Sequence, residues 1–203
     1  LGDVYKRQLL QTFAALAVSS IAGYGFEIYH DKAKDTVMAI LMLAMMVPFV
    51  AVLVPLFQMF TKAKLINSWT GFILPSIATP FLIMYFRNSA RSFPRDTLEA
   101  ARIDGLDEFQ IFIRMFIPMM KPTYASAATI TFMGAWNAYL WPKVVMQTNE
   151  AITMPMLVAN TMGGYVIDYG VVMAAVTICS LPTVIIFFCL QKSFTNAVAG
   201  AVK

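Results

Sequence analysis

The residues able to do chemistry in this chain are few, and most of them crowd into one stretch. From Arg95 to Arg114 the sequence reads RDTLEAARIDGLDEFQIFIR, a run of carboxylates and guanidiniums with apolar side chains at helical spacing. The rest offers little. His30 is the one histidine, and Cys179 and Cys189 lie ten residues apart in one apolar run. In a helix that is about 15 Å of separation, too far for the two to bridge each other. There is no C-x-x-C, no Cys/His cluster and no G-x-x-x-x-G-K-[ST] phosphate loop in the chain. The charged stretch reads either as a surface helix whose charges are merely solvated or as a contact surface for another protein, rather than as a bond-making site.

Its local signals are specific. Asp96 followed by Glu99 resembles a capping box and predicts a helix start there, with Pro94 limiting backward extension. Gly105 suits the end of that helix, because it turns left-handed without strain. A second helix is expected from near Asp107, with Phe109, Phe112, Ile113 and Phe116 on one face and Pro118 at its end. Two short helices around a glycine turn cannot cross a bilayer, but they can lie along its surface. Ala100 and Ala101 are small, which permits close approach of a second surface.

The elements that must carry this stretch belong to a membrane. Of 203 residues, 59% are hydrophobic and 13% charged, with a net charge of +4. Mean hydropathy is +0.69, which sets the chain apart from ordinary soluble domains. A helix needs roughly 17–25 residues to cross a bilayer. Five stretches are expected to do so: Leu9–Tyr29, Thr36–Phe60, Trp69–Phe86, Thr123–Trp141 and Gly170–Leu190. Their apolar character runs all round, and hydrocarbon demands internal backbone bonding, so the fold class is all-α, a polytopic helical membrane protein. Pro48 and Pro55 predict a kink in the second span, as do Pro75 and Pro80 in the third and Pro182 in the fifth. Trp69, Trp136 and Trp141 lie near span ends, where aromatic belts sit.

Basic residues orient the bundle. The side holding residues 94–118 and the carboxyl tail carries ten Lys and Arg, against five on the other. The positive-inside rule puts that side, and the C-terminus, in the cytoplasm. The amino end then faces outside, an odd start for a multipass chain. The expectation is a chain lacking an earlier span, whose first eight residues, LGDVYKRQ, are suspected not to be native. Residues 9–203 form one transmembrane domain. Residues 142–169 form an outer loop, whose apolar piece Ile152–Val158 is too short to span. Few acidic residues fall within the spans, which argues against ion coupling and for a neutral solute.

EAARIDG followed by MFIP resembles the EAA loop of ABC-transporter permeases. That pattern is Glu-Ala-Ala, three residues, Gly, nine residues, then Ile-x-Leu-Pro. Glu99, Ala100, Ala101, Gly105 and Pro118 match it, while Met115 and Ile117 are conservative departures. GAWNAYLWP, residues 134–142, is similar to a stretch of carbohydrate-importer permeases, the class of the smaller maltose-transporter permease, and ARIDG and AVAGAVK also resemble that group. Members usually have six spans, so the missing one is the first.

The resemblance implies a non-enzymatic permease of a bacterial inner membrane. It would form a sugar path with a second, different permease and receive sugar from an extracytoplasmic binding protein. It implies no cofactor in this chain, since ATP is bound by a cytoplasmic ABC ATPase dimer, and no nucleic-acid partner. Glu99, Ala100, Ala101, Asp104 and Gly105 would form the coupling helix that docks on that dimer. Asn137 and Tyr139 suit either contact with a sugar or hydrogen bonds between helices. A permease for a non-sugar solute, such as a polyamine or phosphate, is the alternative, and a structural or enzymatic membrane protein is a more distant one.

Overall fold

The computed structural model describes residues 2–148, 152–163 and 167–201. Parts of the expected outer loop (149–151 and 164–166), together with Leu1, Val202 and Lys203, lie outside the described residues. The helices are α1 (Gly2–Ile28), α2 (Lys32–Ala44), α3 (Phe49–Lys62), α4 (Trp69–Ile73), α5 (Pro80–Ala90), α6 (Arg95–Ile103), α7 (Glu108–Ile111), α8 (Ile117–Met119), α9 (Lys121–Trp136), α10 (Leu140–Val145), α11 (Met154–Thr161) and α12 (Tyr169–Ala201). A tight 3₁₀ turn, Leu74–Ser76, follows α4, and a wide π turn, Phe112–Phe116, separates α7 from α8. No strand occurs among the described residues.

Two of these helices, α1 and α12, are each long and apolar enough to cross a membrane. The number rises to four if α2 with α3, and α4 with α5, each count as one span. The expected second span is therefore not a kinked rod. It breaks between Ala44 and Phe49 with a bend of 102°. Pro48 sits outside the helix as the residue before α3, with extended ψ of 133°; without an N–H and with a ring that clashes one turn back, it interrupts the helix that precedes it. Pro55 is absorbed within α3. The third expected span bends by 50°, where Pro75 enters the 3₁₀ turn and Pro80 opens α5. The fourth is α9, at 16 residues, short of the expected Thr123–Trp141 because the chain unwinds at Asn137 before re-forming as α10.

At the centre, α1 and α5 run side by side in the same direction, and α9 packs on both in the opposite sense. Ala15, Leu82, Phe86 and Ala127 form their shared core, each at most 2% exposed. Lipid is as apolar as leucine, so burial alone does not drive this contact; close van der Waals fit does. Gly23 sets the fit. A Cβ there would lie 2.6 Å from Phe86 Cβ and 2.7 Å from the Arg87 backbone nitrogen. α12 packs along α9, and the Trp136 indole N–H donates to the Cys179 carbonyl at 2.8 Å. That carbonyl is one residue from Ile178, whose helical partner Pro182 cannot supply.

Two expectations about tryptophan are corrected here. Trp136 and Trp141 are not interfacial belt residues: they are 0% and 9% exposed. Each has found an internal acceptor for its N–H, Cys179 and Gly71 respectively, which lets the large ring be buried. Trp69 is exposed. The apolar piece of the outer loop forms α11, whose Met154 packs with Phe132 and Trp136.

Candidate functional site

The charged stretch folds as a short platform at one end of the bundle. α6 begins at Arg95, not at Asp96, and the expected Asp96–Glu99 capping box does not form. Pro94 itself takes the cap position with φ −65° and ψ 125°. Its extended backbone starts the helix early and moves Asp96 into the first turn, where its charge favours the helix dipole. The capping box appears one helix later. Asp107 accepts from the Gln110 backbone N–H at 2.7 Å, and the Gln110 side chain accepts from the Asp107 N–H at 3.3 Å.

Between the two helices the expected glycine turn is present. Gly105 has φ +80°. Its N–H donates to the Arg102 carbonyl and the Leu106 N–H to the Ala101 carbonyl, both at 3.1 Å. These are the two bonds of a Schellman cap. Arg102 and Glu108 close over the turn with an ion pair of 2.7 Å. The paired Glu108 carboxylate raises the Arg102 pKa above its ordinary value. Burial pushes the Glu108 carboxyl up, but the nearby Tyr29 hydroxyl and the Arg102 guanidinium, bonded at 2.7 Å, outweigh it and hold the pKa below the usual value.

The underside of the platform is anchored. Leu98, Ala101, Ile111, Phe112 and Phe116 join Tyr24, Ala90 and Phe93 in one core. Tyr24 of α1 meets Phe112 and Phe116 edge-on at centroid distances of 5.2 and 4.9 Å, contacts each worth about 0.5–1.5 kcal/mol beyond area. The second helix does not end at Pro118 as expected. The widened turn Phe112–Phe116 shifts the hydrogen-bond register, the Ile117 N–H donating to the Phe112 carbonyl. This precedes the residue that lacks an N–H, and the chain continues through α8 into α9.

The upper face is free. Glu99, Ala100, Ile103, Asp104 and Gly105 are exposed, with Ile103 at 86% and Phe109 at 67%. Ala101 does not join them. At 2% exposure it belongs to the chain's own core, so its small side chain serves α6 packing on the bundle, not the approach of a second protein. An ion-pair cluster lies just beneath. Arg87 of α5 donates to Glu27 at 3.3 Å and to Asp35 at 2.6 Å. Arg91 reaches Glu27 at 3.4 Å and His30 lies 2.9 Å from Asp35. Arg87 thereby ties the ends of α1, α2 and α5 together beside α6.

Towards the other end of α5 and α9 lies a cavity of about 590 Å³. Asn137 and Tyr139 both line it, with Gln11, Phe72, Thr131 and Trp141, and among the described residues no Asp, Glu, Lys or Arg lines it. The Asn137 amide nitrogen donates to the Met133 carbonyl at 2.9 Å. Lys143 donates to the Tyr139 hydroxyl at 2.7 Å. The lining is mainly apolar and aromatic, and cations stand behind it: Lys143 at Tyr139 and Arg7 over the Phe72 ring.

Comparison with known proteins identifies the family. Residues 15–200 match the family described as binding-protein-dependent transport system inner membrane component. The chain belongs to that family. This permease is 41% identical over 198 residues to the lactose transport system permease protein LacG of Rhizobium radiobacter, covering 98% of this chain and 72% of the relative. It is 35% identical to the arabinooligosaccharides transport system permease protein AraQ of Bacillus subtilis, over 96% and 70% of the two chains. In fold it is similar to a solved bacterial ABC transporter involved in the import of the acidic polysaccharide alginate, with a TM-score of 0.79, 22% identity and coverage of 94% and 74%. The permease is a transport protein of the inner membrane, not an enzyme.

Sequence reasoning missed Gln11, Arg87 and Ile103. Gln8, Gln11, Thr12, Ser19 and Ser20 are all buried, so α1 is not apolar all round. Gln8, Gln11, Thr12 and Ser19 share one helix face at steps of three, four and seven residues, a polar stripe that was legible. Arg87 had no sequence-local partner to announce it, since Glu27 and Asp35 lie 60 and 52 residues away.

Proposed function

We propose that this permease is one of two different permeases forming the path of an ATP-driven sugar importer. The α6 face docks on a cytoplasmic ABC ATPase dimer, and an extracytoplasmic sugar-binding protein delivers to the opposite end. Its C-terminus is cytoplasmic, as the ten-to-five distribution of basic residues favours. The relatives' names favour a neutral oligosaccharide.

The observation that carries the coupling role is the exposed Glu99–Ala100–Ile103–Asp104 face on a helix whose underside is locked to α1 and α9. An apolar side chain as exposed as Ile103, ringed by charge, is the anatomy of an interface centre with a polar rim. Glu99 supplies an acceptor for a basic group, and Ala100 leaves room for close approach. Rigid attachment matters because a docked helix transmits motion only through what it is bonded to. A displacement of α6 passes through Ala101 and the Arg102–Glu108 pair into α1 and α9.

The test is uptake of lactose by vesicles holding this chain with its partner permease, ATPases and binding protein. Ile103→Asp is expected to abolish uptake and sugar-stimulated ATP hydrolysis while the chain still inserts. Undiminished uptake by that variant would remove α6 from the coupling role.

A further inference from the structure

The end of the bundle away from α6 carries a rim of one charge sign. α10 packs there against the end of α3 and the start of α4. Phe60, Leu65, Ile66, Trp141 and Val145 share one core beneath it, and Phe60 meets Trp141 edge-on at 5.0 Å. Asn67 pins the two segments together. Its N–H donates to the Val145 carbonyl at 2.8 Å, and its side-chain oxygen accepts from the Gln147 N–H at 2.6 Å. Lys62, Lys64 and Lys143 stand exposed on this rim, and none has a carboxylate partner among the described residues. Lys143 donates to the Tyr139 hydroxyl at 2.7 Å, a neutral partner that fixes its direction and leaves its charge. The sequence has no Asp or Glu from 36 to 95 or from 109 to 149, and Glu150 lies outside the described residues.

Lys64 is held there against local preference. The Leu65 N–H donates to the Phe60 carbonyl at 2.9 Å and the Lys64 N–H to the Thr61 carbonyl at 3.0 Å, the same two-bond cap found at Gly105. Here the left-handed position, φ 56°, holds a lysine where glycine is the ordinary and less strained residue. Lys62, in the last turn, already suits the α3 dipole, so the dipole does not require a side chain at the strained position.

We propose that this rim is the landing surface for an acidic face of the extracytoplasmic binding protein, with Lys62, Lys64 and Lys143 as the cations that steer and orient it. The inference rests on the sugar-importer reading, which needs a delivering protein at this end, and deepens it by naming the surface and the charge of its partner. A surface of one sign speeds encounter with one of the other. The neighbouring residues favour protein over lipid. From Thr61 to Asn67, and at Gln147 and Thr148, every exposed residue is small, polar or cationic, whereas a lipid contact pairs its cations with bulky apolar anchors. Pinning by Asn67 also serves a shaped partner, while a headgroup is met equally well by flexible stems.

The experiment uses the assembled transporter in nanodiscs of phosphatidylcholine and, in parallel, of phosphatidylcholine with phosphatidylglycerol. Association of the lactose-loaded binding protein is followed by stopped-flow fluorescence at about 20 and about 300 mM salt, which brackets weak and strong screening. Uptake of lactose and arabinotriose is measured with the same proteins in vesicles. Association with the unaltered transporter is expected to slow about tenfold across that salt range. With Lys62, Lys64 and Lys143 all replaced by Gln it is about tenfold slower at low salt and loses most of its salt dependence. Lys64→Gly separates docking from folding. It relieves the left-handed strain, so thermal stability is kept or raised, while low-salt association slows about two- to threefold. A water-soluble carbodiimide, which joins an amine to a touching carboxylate, is expected to link the rim lysines to Asp or Glu of the binding protein. If either sugar enters but the triple variant associates as fast and with the same salt dependence, or the links avoid all three lysines, the rim is overturned and the importer reading stands. The same holds if the triple substitution slows association only in the phosphatidylglycerol discs, which makes the rim a lipid contact. If neither sugar enters through the unaltered transporter, both readings fall.

Discussion

Replacing Arg87 by Met tests the physical account of how α6 is supported. The Arg87 side chain is 7% exposed and Glu27 is 16%, whereas Asp35 is 47% and Arg91 59%. Two contributions of different size follow. The Arg87–Glu27 contact is largely buried, and removing one partner of a buried pair costs about 3–5 kcal/mol, because a charge is left without compensation. The Arg87–Asp35 contact is half in solvent and adds at most about 1 kcal/mol. Arg91 remains near Glu27 at 3.4 Å and recovers part of the loss. The expected destabilisation is therefore about 3 kcal/mol, at the lower end of the buried-pair range. Arg87→Lys should cost less than Arg87→Met, since the ammonium keeps the positive charge beside Glu27 and loses only the guanidinium's planar two-carboxylate geometry. Unfolding by SDS in mixed micelles reads these values. Glu27→Gln in the Arg87→Met background should recover about 2 kcal/mol, since the stranded charge is then gone. A change below about 0.5 kcal/mol for Arg87→Met, typical of a surface site, would refute the claim that this cluster ties α1, α2 and α5 together.

Three other outcomes follow from the same geometry. Gly105→Ala places a side chain at φ +80° and should destabilise the α6–α7 turn by about 1 kcal/mol, read as faster amide exchange at Leu106; unchanged exchange contradicts the Schellman cap. Gly23→Leu must displace Phe86 and the α5 backbone, costing about 1–3 kcal/mol or more, read by the same SDS unfolding; a neutral result contradicts the close α1–α5 approach. The folded pKa of Glu108 is lowered, so its contribution is complete above the unfolded carboxyl pKa of about 4.3 and is lost as pH falls through the folded value. Exchange protection of residues 102–108 should thus be flat from about pH 6 to 8 and fall only below about pH 4; loosening near neutrality contradicts the assignment.

What the sequence made legible was whatever depended on local chemistry. The glycine turn at 105, the start of the second helix near Asp107 and the helical fold class follow from residues a few positions apart, and the structure has all three. Long-range partners decided the rest. Pro94 overrode the Asp96 cap because its own φ is fixed. The spans broke at Pro48 and Pro80, where a kinked rod and a bent pair of helices look identical in one dimension. Ala101 reads as a surface residue until Tyr24 and Phe112 are brought beneath it. Trp136 and Trp141 read as belt residues until Cys179 and Gly71 supply acceptors for their N–H groups. Gln11 was hidden by its apolar neighbours, although the polar stripe it belongs to has helical spacing.

The central claim is that the exposed face of α6 meets the ATPase while its buried face holds to the bundle. Adjacent alanines separate the two faces. In a Cys-free chain assembled with its partners, Cys is placed at Ala100, which is exposed, or at Ala101, which is 2% exposed. The account predicts a crosslink from position 100 to the ATPase that changes on adding ATP, and none from position 101. Equal crosslinking from both, or none from position 100 in an assembly that still transports, would contradict it.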